Sequence, residues 1–165
     1  MVTPTTNYLY DALGNLARMT QLGASGSADR ATSYIYGAGG LLASMTDANG
    51  FTRNYAYDIA GRQIRESYTR SDAEAVVYEE ALLTRYDIGG RMTEQMAARK
   101  VGGIWQAGDI SKTSYNGFGD IAATKINNST FEQQNKYDTA GRLWATNSGD
   151  GIWKYFGYDK MVIRP

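Results

Sequence analysis

The chain has 165 residues, its 17 basic and 17 acidic side chains cancel, and it contains neither cysteine nor histidine. Balanced charge excludes a polyelectrolyte drive toward nucleic acid or an anionic membrane surface, and no apolar run approaches the roughly 20 residues of a spanning helix. Without cysteine and histidine, disulfides, thiolate or imidazole metal ligands, Ser-His-acid triads and imidazole acid–base catalysis are excluded together.

What is abundant points elsewhere: 13 Tyr and 19 Gly stand against 2 Pro. Tyrosine favours strands and glycine marks turns, so the composition predicts an all-β chain with many short connections. The opening MVTPTTNYLYD does not read as a signal peptide.

In chain order, one turn motif recurs. Tyr10-Asp11-x-x-Gly14 is followed by Tyr36-Gly37-x-x-Gly40, Tyr57-Asp58-x-x-Gly61, Tyr86-Asp87-x-x-Gly90, Tyr115-Asn116-x-x-Gly119 and Tyr137-Asp138-x-x-Gly141. Chance pairing of the tyrosines and glycines would produce about 1.5 such spacings, so the six copies are a repeat. A seventh copy opens at Tyr158-Asp159, with Val162 where glycine would stand. Tyrosines 21 to 29 residues apart suit two strands and two turns per copy, an array of antiparallel β-hairpins.

Each part of the motif has a mechanical reason. Asp or Asn at the first position of a type I turn is expected to accept backbone N–H bonds two or three residues on. Glycine at the fourth position takes the positive φ that ends such a turn. Gly37, in the acid slot of the second copy, must turn without that side-chain bond. Tyr8/Tyr10, Tyr34/Tyr36 and Tyr55/Tyr57 recur on one sheet face. Two residues past the glycine comes Leu16, Leu42, Met92, Ile121 or Leu143, with Gln63 the exception, so the return strand starts in fixed register.

The opposite turns are more varied. Asp47-Ala48-Asn49-Gly50, Gly102-Gly103, Asn127-Asn128-Ser129 and Asn147-Ser148-Gly149-Asp150-Gly151 fill that role, and 21–33 reads as a loose loop. Within Ser71–Leu83, Ser71 and Glu74 match a helix capping box, but the repeat phase favours a hairpin with its turn at 71–74.

The run Tyr137-Asp138-Thr139-Ala140-Gly141-Arg142-Leu143 resembles the YD repeat of Rhs (rearrangement-hotspot) proteins, whose relatives include toxin-complex B and C components, wall-associated bacterial proteins and animal teneurins. The resemblance runs from Tyr8 to Asp159. It implies hairpins joined in a curved or spiralling sheet, which in bacterial relatives forms a hollow shell around a C-terminal toxin segment. The Asp-rich self-cleavage region and its Pro-bearing signature have no counterpart here, since the prolines are Pro4 and Pro165. The expectation is a single array over 1–165, an excerpt of a longer shell.

Catalytic carboxylates must converge, whereas Asp11, Asp58, Asp87 and Asp138 each sit in their own turn. Asp47-x-Asn49-Gly50 lacks the remaining ligands of a calcium loop. Gly117-x-Gly119-x-x-Ala122 coincides with the fifth turn rather than a dinucleotide-binding helix start. Arg62, Arg91 and Arg142, next to the turn glycines, are expected to pair with acids on a neighbouring hairpin rather than to bind anions. Trp105, Trp144 and Trp153 break the repeat register and are the candidates for an exposed ligand-binding patch.

The sequence therefore predicts a non-enzymatic structural segment of a secreted or cell-surface shell, without cofactor or metal. Its expected partners are a cargo polypeptide and, through open strand edges, further copies of itself. The alternative is a module that binds surface carbohydrate or protein through its aromatic residues.

Overall fold

Short runs of β-branched, aromatic and small residues bounded by glycine turns form strands throughout the computed structural model. It describes residues 5–24, 27–71, 76–127, 129 and 132–158. Thirteen strands follow one another: β1 (Thr6–Tyr10), β2 (Leu16–Gln21), β3 (Arg30–Tyr36), β4 (Leu42–Thr46), β5 (Thr52–Tyr57), β6 (Gln63–Ser71), β7 (Val77–Tyr86), β8 (Met92–Val101), β9 (Ile104–Tyr115), β10 (Ile121–Ile126), β11 (Glu132–Tyr137), β12 (Leu143–Thr146) and β13 (Lys154–Tyr155). Sheet order equals chain order, an antiparallel meander of hairpins. The sole helical piece among the described residues is the single 3₁₀ turn Ala38–Gly40. The fold is all-β, as composition and repeat spacing predict.

Strands flank the 71–74 segment on both sides, with Ser71 opposite Val77 and Arg70 opposite Tyr78. Glu74 of the capping box, Asn128, and Asp159 and Val162 of the seventh copy lie outside the described residues. The loop expected over 21–33 is shorter than expected. Arg30–Ser33 belong to β3 and pair with Gln21 back to Arg18, because Thr32 and Ala31 can face Met19 and Thr20 in register.

The chain divides into two compact units, Met1–Thr84 with Ala97–Gly108, and Arg85–Met96 with Asp109–Pro165. In the first unit the registers separate two faces. One carries Tyr8, Met19, Tyr34, Met45, Arg53, Tyr55, Glu66 and Tyr68. There Arg53 pairs with Glu66 at 3.5 Å and Tyr68 packs on Phe51 at 5.4 Å between ring centroids. The other face, between β3 and β6, carries Ser33, Ser44, Thr46, Thr52, Asn54 and Ser67 together with Ile35, Ala56 and Arg65, with the Thr46 and Thr52 hydroxyls 2.8 Å apart.

Little of either unit is sealed from water. In the first, Ser67, Ala81 and Ala98 are buried, and Ser67 lies directly opposite Ala81. In the second, Met96, Ala123, Ala145, Thr146 and Asn147 are buried. Ala145, with no exposed surface, sits in register between Lys136 and Tyr155. Nearly all other described residues are exposed or half-buried, which suits a sheet stabilised along its ladder more than by a thick core.

Candidate functional site

The six tyrosine turns share one backbone. In five of them the N–H of the glycine bonds to the carbonyl of the first turn residue at 3.0–3.1 Å, and the N–H of that first residue bonds to the carbonyl four residues on at 2.8–3.0 Å. Glycine closes each with φ between 73° and 96°, a region where a β-carbon would clash. This is a type I turn followed by a glycine bulge, the three-residue hairpin loop.

The acid makes the expected bond two residues on, but its second bond falls four residues on instead of three. Asp58 Oδ1 accepts from the N–H groups of Ala60 and Arg62, two and four residues on, at 2.9 and 3.0 Å. The N–H three residues on, that of Gly61, is already taken by the Asp58 carbonyl. Asp11, Asp138 and Asn116 repeat the pattern.

The second carboxylate oxygen corrects another expectation. Arg62, Arg91 and Arg142 pair within their own turns rather than with a neighbouring hairpin: Nε donates to Asp58, Asp87 and Asp138 at 2.7, 2.8 and 2.8 Å. Four residues of a tight turn bring the two side chains onto one side, closer than any cross-strand partner. The first copy replaces this with Asn15 donating to Asp11, and the fifth reverses it, with Asn116 donating to Asp120, both at 3.0 Å. The second copy, Gly37 to Leu41, has neither oxygen and its glycine bond stretches to 3.3 Å.

These contacts lower the carboxylate pKa values. At Asp58, Asp87 and Asp138 the arginine's backbone N–H is the main cause, with its guanidinium adding; at Asp11 it is the Asn15 side chain. Hydrogen bonding to the charged form has that sign. A carboxylate held ionised, with both oxygens engaged, is a poor general acid or base near neutrality.

The tyrosine hydroxyl was missed by the sequence reading. Tyr57 donates to the Leu42 carbonyl at 3.0 Å, Tyr115 to Met92 at 2.7 Å, Tyr137 to Ile121 at 3.1 Å and Tyr158 to Leu143 at 2.6 Å. Each acceptor is the residue two past the glycine of the preceding copy, so every bond ties one repeat to the one before. Burial raises the Tyr57 pKa. Arg91 and Arg142 also lie over the rings of the next copy's Tyr115 and Tyr158, at 4.8 and 4.7 Å. One sign of the hydroxyl's use was present: the chain has four phenylalanines, and none occupies this slot.

A bulge frees the acceptor region. Tyr10 faces Leu16 while Leu9 faces Arg18, and equivalent skips follow Leu42, Gln63, Ile121 and Leu143. The register expected from the apolar residue is therefore kept, but with one extra residue on the return strand, which increases local twist.

Two of the three candidate tryptophans come together. In the second unit the Lys136 ammonium lies 4.6 Å from the Trp153 ring and 5.8 Å from Trp144, while Tyr155 is 6.5 and 6.2 Å from the same rings. In the first unit Trp105 is flanked by Arg65 at 5.7 Å and Lys100 at 5.4 Å. Among the described residues, no group of three or more acidic side chains is placed to hold a metal, and no helix is long and apolar enough to cross a membrane. A polar groove of about 320 Å³ in the second unit includes Glu94 and Lys112, which pair with each other at 3.5 Å.

No curated protein matches the chain. Among solved structures, a TcdB2–TccC3–Cdc42 structure aligns with 14% identity over 86% of this chain and 9% of the other, with a TM-score of 0.45. A TcdB2–TccC3 structure without its hypervariable C-terminal region gives the same figures. A porin-like protein from Bacteroides uniformis aligns over 93% of this chain and 87% of its own, with 14% identity and a TM-score of 0.25. The chain thus spans about a tenth of the TcdB2–TccC3 structures it matches. Residues 10–52, which hold the first two copies of the turn, match the RHS repeat family.

Proposed function

We propose that the chain is a wall segment: a non-catalytic hairpin array from a secreted or surface RHS shell that encloses or presents a partner polypeptide. The observation that supports this most is the tyrosine bond that four of the turns, at Tyr57, Tyr115, Tyr137 and Tyr158, make to the copy before. It places the most regular side chains of the chain between repeats, where they set spacing, rather than around a cavity. The Ser/Thr/Asn face between β3 and β6 supports the cargo side of the reading. Its Ser33 and Ser44 hydroxyls and the exposed Asn54 amide offer hydrogen bonds to any polypeptide without selecting one.

A second reading, a carbohydrate-binding module, draws on the Trp144, Trp153 and Tyr155 rings, since aromatic faces stack sugars. One experiment separates the two. The chain is titrated against a permanently unfolded probe, reduced carboxymethylated lactalbumin, and against a panel of oligosaccharides. The wall reading expects weak binding of the unfolded chain and none of the sugars. A single oligosaccharide that saturates, and is lost in Trp153→Ala, would replace it with the second reading. Hydrolysis of any probe, abolished by one Asp→Asn change without loss of folding, would overturn both.

A further inference from the structure

Four side chains of the second unit converge around one small residue. Ala145 of β12, with no exposed surface, stands in register between Lys136 of β11 and Tyr155 of β13, so these three side chains leave the sheet on one face. Trp153, two residues before Tyr155, shares its side, and the two rings stack with centroids 6.5 Å apart. Trp144 is the extra residue of the β12 bulge, and a bulge re-aims a side chain. Its ring comes to 6.2 Å from that of Tyr155.

What meets these rings is a cation. The Lys136 ammonium lies 4.6 Å from the Trp153 ring centroid and 5.8 Å from that of Trp144, both within the roughly 6 Å range of cation–π attraction. It makes no hydrogen bond or ion pair among the described residues, so the rings are its partners. Those rings stay open to solvent, with Tyr155 70% and Trp144 39% exposed. A lysine ammonium is strongly hydrated and rides on a flexible stem. It holds this place weakly, and a better cation can take it.

We infer that Trp144, Trp153 and Tyr155 form an aromatic cage for a quaternary ammonium ligand, with Lys136 as its built-in competitor. A primary ammonium from outside gains nothing over Lys136, whose tether gives it an effective concentration on the order of millimolar or more. A trimethylammonium group gains more, because it has no N–H bonds to water to give up and its methyl groups pack on the ring faces. A neutral sugar forfeits the charge attraction that holds Lys136 at the same rings. The trimethylammonium has two sources, a choline headgroup or a trimethylated lysine of a polypeptide. This inference does not depend on the wall reading, and it competes with the carbohydrate reading of these rings.

Nuclear magnetic resonance of the indole N–H groups in the whole chain tests it. The probes are tetramethylammonium, phosphocholine and a peptide bearing trimethyl-lysine; neohexanol, the uncharged isostere of choline, is the control. The Trp144 and Trp153 signals should shift and saturate with each cation, while Trp105, in the other unit, stays in place and the isostere moves none. Tighter binding of phosphocholine or of the peptide assigns the source. Trp153→Ala should weaken binding by about tenfold or more. Lys136→Ala removes the competitor and should tighten binding by about threefold to tenfold; retained signal dispersion shows that either variant is folded. No saturating shift, an equal response to neohexanol, or a folded Lys136→Ala variant that binds no tighter would each overturn the proposal.

Discussion

The two kinds of turn in each hairpin make an instructive contrast. The tyrosine turns keep one length, one backbone and, in five of six copies, one pairing between first and fifth residues, although its chemistry changes from Asp–Arg to Asp–Asn to Asn–Asp. The opposite turns share almost nothing. Gly102-Gly103 is a two-residue reversal with both φ positive, Asn127 turns at φ 53° with its side chain on Asp109, and Asn147 spans a wider loop to Gly151. Asp47 to Phe51 alone reproduces the tyrosine-turn geometry, without the tyrosine. The difference lies in what each turn must meet. A tyrosine turn presents the strand start whose carbonyl receives the next copy's hydroxyl, so an error there propagates. An opposite turn only has to close.

The largest effect should come from changing length at the two kinds of turn. One residue inserted between Ala60 and Gly61 shifts the β5–β6 register and turns the side chains of β6 to the wrong face, with a loss on the order of 2–4 kcal/mol in urea unfolding. The same insertion in the 22–29 loop should cost less than about 0.5 kcal/mol, because loop-closure entropy grows slowly. Equal losses would erase the contrast.

A smaller effect should come from completing the one incomplete tyrosine turn. Gly37 has a negative φ of −92°, and a β-carbon there would come no closer than 3.9 Å to any neighbour. Gly37→Asp should therefore stabilise the chain, by about 0.5–1 kcal/mol, through a less flexible unfolded state and a recovered side-chain acceptor. Loss of stability would mean that the second turn is held in its own geometry for another reason.

The smallest effect is a pH dependence. The turn carboxylates have folded pKa values below their ordinary value, so the unfolded chain takes up protons first. Their contribution to stability is complete above about pH 5 and is lost as pH falls through the lowered values, below about 4. Asp58→Asn should flatten that acid slope and lose at pH 7 the contribution the slope reports: as at Asn116, the amide oxygen can still serve the backbone N–H groups, but the amide nitrogen would face the Arg62 guanidinium instead of a carboxylate. An unchanged slope would mean that the Arg62–Asp58 pair is not coupled to folding.

Much of this was legible in the sequence. Tyr-x-x-x-Gly spacing located the turns, and positive-φ glycines at 14, 40, 61, 90, 119 and 141 stand where the motif put them. What could not be read was any contact whose partner is defined only by sheet order. The Tyr57 hydroxyl meets a carbonyl 15 residues earlier, and a backbone acceptor leaves no residue-type signature. The bulge after five of the turns was hidden for a related reason: alanine fills the extra position three times (Ala17, Ala43, Ala122), but Ile64 and Trp144 fill it elsewhere, and alanine is too common to mark a bulge. Arg62 was misplaced because strand-to-strand pairing was weighed ahead of the shorter path within a turn. Lys136, between Trp144 and Trp153, carries no motif.

The most direct test of the tyrosine bond is a matched pair of hydroxyl deletions, Tyr57→Phe and Tyr10→Phe, followed by urea unfolding at a concentration where the chain is monomeric. The two residues hold the same place in the repeat, but Tyr57 donates to Leu42 whereas Tyr10 is 58% exposed and makes no such bond among the described residues. Removing one half-buried hydrogen bond should cost Tyr57→Phe about 0.5–1.5 kcal/mol and leave Tyr10→Phe close to the parent. Equal losses, or none in either, would contradict the claim that the Tyr57 hydroxyl ties its repeat to the one before it.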